Sequence, residues 1–174
     1  MVQVGVSLAI GVIGSLTASV IFLLLARSFR PRIEISRKIA EWGSDDNRSH
    51  VIKILNHSKR SVVDLRFELL LITLKSVPDG VLRSTRPISL SKPEAFILHG
   101  FSKADKDARF ARRIVVNEDL NDVWTNDEQQ FLVFRVYGHD EVSGLAKLFE
   151  VEYRTIRNSM VSGQFHSGNT LEIS

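Results

Sequence analysis

Residues 1–26 carry no charged side chain, whereas all 23 Lys and Arg and all 20 Asp and Glu lie in 27–174. No other feature constrains this chain as strongly. As a helix, Val2 to Ala26 is about 37 Å long, enough to cross a hydrocarbon core of about 30 Å. Its polar members, Gln3, Ser7, Ser15, Thr17 and Ser19, are ones a membrane helix tolerates. A cleaved signal peptide would want a basic start and a shorter apolar run. The start MVQV has no Lys or Arg. The expectation is therefore an uncleaved transmembrane helix over 1–26.

Arg27, Arg30 and Arg32 follow the span closely, and nothing basic but the α-amino group precedes it. The positive-inside rule then puts the N-terminus outside and the C-terminal part in the cytoplasm. The same three arginines are candidates for contact with anionic lipid head groups. Within the span, Ser7, Gly11 and Ser15 recur every fourth residue, and Gly14 and Ala18 form a neighbouring pair. Small residues at this spacing let helix backbones approach closely, so these five residues are the expected helix interface of a homo-oligomer.

The remaining sequence divides into a basic coupling segment, 27–41, and a β-rich domain, 42–174. Ser61 to Lys75 places Val63, Leu65, Phe67, Leu69 and Leu71 on one face, with Asp64, Arg66 and Glu68 on the other. That is the period of two of a half-buried strand. Further strands are expected at 32–39, 50–56, 88–90, 95–98, 113–116, 130–137, 145–154 and 171–173. Pro78-Asp79-Gly80 reads as a turn. Asn117 to Trp124 reads as a short helix capped by Asn117. Many short strands with one helical turn predict a mainly β fold, a β-sandwich behind an N-terminal transmembrane helix.

The chemistry of the sequence is sparse. It has no cysteine, which excludes a disulfide scaffold, a thiolate metal site and a cysteine nucleophile. No phosphate-binding glycine loop is present. His50, His57, His99, His139 and His166 show no ligand spacing and read as surface or turn histidines. We therefore expect no enzyme, no cofactor and no metal. Residues 33–174 hold 20 basic and 20 acidic residues, and a neutral domain is a poor non-specific binder of nucleic acid. One cluster stands out: Lys103, Lys106, Arg109 and Arg113 are three or four apart. Wound helically they make one basic stripe for a phosphate-bearing ligand or an acidic partner face. The competing reading is a solvated loop, since charge runs usually face water.

The order of features resembles one family. A membrane helix enters the junction Arg27-Ser28-Phe29-Arg30-Pro31-Arg32, followed by Ile35-Ser36, Lys53-Ile54-Leu55-Asn56 and the long strand Val62–Leu74. Arg113-Ile114-Val115-Val116, Asp122-Val123-Trp124, Phe131–Gly138, Ser143-Gly144 and Tyr153-Arg154 complete the series. This resembles the second transmembrane helix and cytoplasmic immunoglobulin-like domain of inward-rectifier potassium channels, without their pore helix or selectivity filter. The resemblance implies an immunoglobulin-like sandwich, a homotetramer and lipid contact at Arg30 and Arg32. It does not imply potassium conduction. The layout is also similar to small membrane-anchored effectors of antiviral defence whose β-rich domain binds a cyclic oligonucleotide. The resulting expectation is a homo-oligomeric single-pass membrane effector that senses a ligand, a cyclic oligonucleotide by that similarity, and alters its helix bundle. The alternative is a passive anchor or scaffold recruiting a cytoplasmic partner protein.

Overall fold

The computed structural model describes residues 2–43, 48–125 and 129–174, without the side chains of 2–10 and 26–28. Helix α1 runs Val2–Ser28. Its described side chains, 11–25, are all exposed. Among the described residues, no helix is long and apolar enough to cross a membrane. The expected transmembrane helix is corrected accordingly. The single-pass topology with its N-terminus outside, the anionic-lipid partners, the membrane-bundle oligomer and the effector or anchor roles built on the span fall with it.

The mainly β part of the expectation holds, as two five-stranded sheets packed face to face. The first comprises β1 (Ile33–Ile35), β2 (Ile39–Trp42), β3 (Ser49–Asn56), β7 (Ala111–Val116) and β10 (Met160–Ser162). β7 runs antiparallel along one side of β3; β1 and then β2 run along the other. β10 closes the edge parallel to β2. The second sheet comprises β4 (Val62–Val77), β5 (Gly80–Ile88), β6 (Glu94–Leu98), β8 (Gln130–Asp140) and β9 (Ala146–Tyr153). Here β6 and β5 share one side of β4, and β8 with β9 beyond it takes the other. Two short helices, α2 (Leu120–Val123) and α3 (Ile156–Ser159), sit in the connections.

Where the sequence suggests one strand over 32–39, the chain breaks into β1 and β2. Ser36 fastens the break. Its N–H donates to the Lys53 carbonyl at 2.8 Å, and its own carbonyl accepts the buried Tyr153 hydroxyl at 2.7 Å. Ile35, Ile39, Ile52, Ile54 and Ile114 of the first sheet meet Leu65, Phe67, Leu69, Leu132, Phe134 and Val136 of the second, with Trp124 filling one end. The expected face of β4 holds at Leu65, Phe67, Leu69 and Leu71, but Val63 yields its place to Val62. The cause is a bulge between Val63 and Arg66, where Asp64 adopts φ +51°. An extra residue reverses the parity of everything before it.

The short helix is capped by Asp119, whose side chain accepts from the Asn121 N–H, not by Asn117. His50 also corrects the reading of the histidines as surface groups: it is fully buried. Being an even-numbered residue of β3, it faces inward with Ile52 and Ile54.

Candidate functional site: a basic cleft over the first sheet

Lys53 and Arg113 are direct cross-strand partners in β3 and β7. Side chains so paired lie on the same face, with Cβ atoms about 5 Å apart, and two like charges there repel. Both belong to the odd-numbered face that points away from the core, together with Val51. The C-terminal segment, 163–174, crosses that face. Its Phe165 is buried against Ala40 and Val51, with Ile173 alongside.

Lys53 is 2% exposed, an unusual state for a lysine. Its Nζ donates to three carbonyls of that segment: His166 at 2.7 Å, Gly168 at 2.9 Å and Thr170 at 2.7 Å. Arg113 donates from Nη2 to the Phe165 carbonyl at 2.6 Å. These acceptors are neutral. Burial, and then the nearby Arg113 charge, push the Lys53 ammonium below its ordinary pKa.

Beside this pair opens a cleft of about 410 Å³. One wall is Lys106, Asp107, Ala108, Ala111, Arg112 and Arg113; the other is Ser167 and Gly168; Lys53 forms part of the lining. Three cations, Lys53, Lys106 and Arg113, and one carboxylate thus face one space, whereas Arg112 alternates to the opposite face of β7, its guanidinium 6.0 Å from the centre of the Phe67 ring. Among the described residues, no group of His, Asp and Glu side chains converges to hold a metal ion.

The structure thus brings together two of the four residues singled out as a ligand-binding stripe. Lys106 and Arg113 line the cleft; Lys103 and Arg109 do not. The helical stripe itself is corrected, because 101–110 forms successive turns and not a helix. Asp105 organises them, accepting the N–H groups of Asp107 and Arg109 at 3.2 and 3.0 Å and pairing with the Arg109 guanidinium. Lys53 escaped sequence reasoning. Lys53 sits in an apolar strand, and its only signal is that a lysine occupies the outward face of a strand whose neighbours are hydrophobic.

The junction arginines go elsewhere. Arg30 and Arg32 line a separate cleft of about 290 Å³ with His57, Ser58, Lys59 and Arg60. There His57 pairs with Glu34 at 2.6 Å, and Arg60 pairs with Asp140 at 2.9 Å while its guanidinium lies over the Phe29 ring. The Arg27 side chain lies outside the described residues, as does that of Ser7. Of the expected helix interface, Gly11, Gly14, Ser15 and Ala18 are exposed, with open space around both glycines. A broader depression of about 450 Å³ on the second sheet, lined by Asp64, Arg66, Glu94, Phe96, Tyr137 and His139 among others, alternates charges and favours no ligand sign.

No family model matches the chain, and no curated protein matches it. Among solved structures 69 chains match. One is the crystal structure of Spo0M, a sporulation control protein from Bacillus subtilis, at 8% identity and a TM-score of 0.38, covering 71% of this chain and 48% of that one. The chain therefore spans about half the length of that protein. The resemblance to inward-rectifier channels is corrected, because among the described residues no helix is long and apolar enough to cross a membrane. The tetrameric ring implied by that resemblance goes with it, as do the antiviral and cyclic-oligonucleotide readings that the membrane layout suggested.

Proposed function

We propose that the β-sandwich is a binding module, not an enzyme, and that its ligand is a small molecule bearing phosphate groups, seated in the cleft between residues 106–113 and 167–168. One observation carries this reading. Lys53 and Arg113 are cross-strand neighbours of like charge, and the hydrogen bonds described for their cationic groups go to neutral carbonyls. Carbonyl dipoles satisfy the donors, but they do not cancel the charge. With Lys106 on the adjoining wall, the field in the cleft is positive against the single carboxylate of Asp107. An anion entering there relieves repulsion already present in the fold, and charge-assisted bonds to phosphate oxygens are the strong kind.

Titration calorimetry of the full chain with sodium pyrophosphate tests this. Saturable binding that weakens as salt rises is the expected result. The reversal Lys106→Glu is expected to weaken it sharply while the circular dichroism spectrum stays unchanged. Absence of binding by the wild type, or equal binding by the reversed variant, would overturn the reading.

A further inference from the structure

We infer that the C-terminal segment, residues 163–174, is a strap whose closure is coupled to the anion, so that a ligand in the cleft tightens it. This rests on the anion reading above. The strap is held by few contacts of its own. Gln164 and Ser174 exchange two backbone hydrogen bonds of 3.0 Å, His166 donates to the Glu172 carbonyl at 3.0 Å, and Gly163 donates to the Glu41 carbonyl at 2.8 Å. Phe165 supplies a buried apolar anchor. Besides the Gly163 bond, the described bonds that tie it to the sheet beneath are the four from Lys53 and Arg113.

Those two cations hold the strap against their mutual repulsion. Bringing Lys53 to 2% exposure beside Arg113 opposes its charge, and opening the strap lets water back onto both groups. Closure therefore carries an electrostatic cost that a bound anion removes. The ligand need not displace the carbonyls, because Ser167 and Gly168 already form a wall of the same cleft as Lys106. By linkage, whatever factor the anion adds to closure, closure adds to anion affinity.

Hydrogen exchange with and without saturating pyrophosphate, paired with calorimetry on the same samples, tests the coupling. Exchange at the Gln164, His166 and Ser174 amides is expected to slow at least about five-fold on saturation, with the amides of β4 and β8 unchanged. Truncation after Ser162 is expected to weaken pyrophosphate binding by a matching factor. Lys53→Met and, separately, Arg113→Gln are each expected to shrink the exchange difference; the second covers the case in which the first does not fold. Binding without any change in strap exchange, or with faster exchange, would overturn the coupling while leaving the anion reading intact. Absence of binding in the calorimeter would overturn both.

Discussion

The Nε2 of His50 stands 3.8 Å from the Asp119 carboxylate, fully buried and without a hydrogen-bond partner. Glu41 lies on another side at 3.7 Å. The Leu120 N–H points at the other ring nitrogen, Nδ1, at 3.4 Å. A nitrogen that faces an N–H donor must keep its lone pair, so the neutral ring carries its proton on Nε2. That proton is aimed between two carboxylates that are both beyond hydrogen-bond reach. Arg48 engages the same carboxylates, at 3.2 Å from Glu41 and 3.9 Å from Asp119. The group ties β2, β3 and the start of α2 together.

This arrangement sets a pH dependence. Burial, the largest influence, lowers the His50 pKa below its ordinary 6.5; Asp119 and Glu41 oppose it and Arg48 adds to it. In the window between the lowered folded value and 6.5, the unfolded chain binds a proton that the folded chain refuses. Stability therefore falls as pH drops through that window, and His50 contributes its full share only above 6.5. Second protonation would also place an N–H on Nδ1 against the Leu120 N–H. Urea midpoints measured from pH 8 to pH 5 are expected to decline, and His50→Gln to flatten the decline over the part of the range below 6.5. The acid-side losses from Asp140 and Glu141, whose pKa values are lowered, belong to a separate window at lower pH. A variant with the slope of the wild type would show that His50 is not the group responsible.

Phe67 is 5% exposed in the middle of β4 and stacks on Phe134 of β8, with ring centroids 6.4 Å apart and planes within 13°. Phe67→Ala removes both the burial and the stacked partner and leaves a cavity between the sheets. The expected cost is about 3–5 kcal/mol, a large share of the stability of a domain this size. Chemical denaturation that finds a loss below about 1 kcal/mol would contradict the placement of this residue in the core.

Phe67 also shows what was legible in the sequence. β4 announces itself because its inward and outward positions alternate cleanly from Leu65 to Leu69, and β8 because Phe131 to Val136 is almost unbroken apolar chain. β5 does not, since Val81 to Pro87 is exposed on every residue and alternation carries no signal without a buried face. Its existence rests on pairing with β4 from Val77 to Leu69, a tertiary fact. The site was half legible for the same reason. Lys106 and Arg113 belong to a local run of charge, whereas Lys53 joins them only through the register of β3 with β7 and the return of a segment more than one hundred residues later. The uncharged N-terminus was the loudest signal and the least informative about the β-domain, because hydrophobic length identifies what a helix tolerates and not what surrounds it.

The strap offers a paired test in its two glycines of positive φ. Gly163 has φ +134°, and a Cβ built there would stand 2.2 Å from the Ser174 carbonyl oxygen. Gly168 has φ +82° at the turn, with open space around it. An L-residue at Gly168 meets backbone strain alone, about 1–2 kcal/mol. At Gly163 the same kind of strain is joined by a collision with backbone that no rotamer can relieve. Gly163→Ala is therefore expected to lift the end of the strap from the sheet, exposing Phe165 and opening 163–174 to limited proteolysis. Gly168→Ala is expected to leave the strap seated and protease-resistant, at a modest loss of melting temperature. Core strands should stay protected in both, because the strap covers the outer face of the first sheet and the main core lies on the other side. If Gly168→Ala released the strap as readily as Gly163→Ala, the clamp formed by Lys53 on the His166, Gly168 and Thr170 carbonyls would have to be weaker than its geometry indicates.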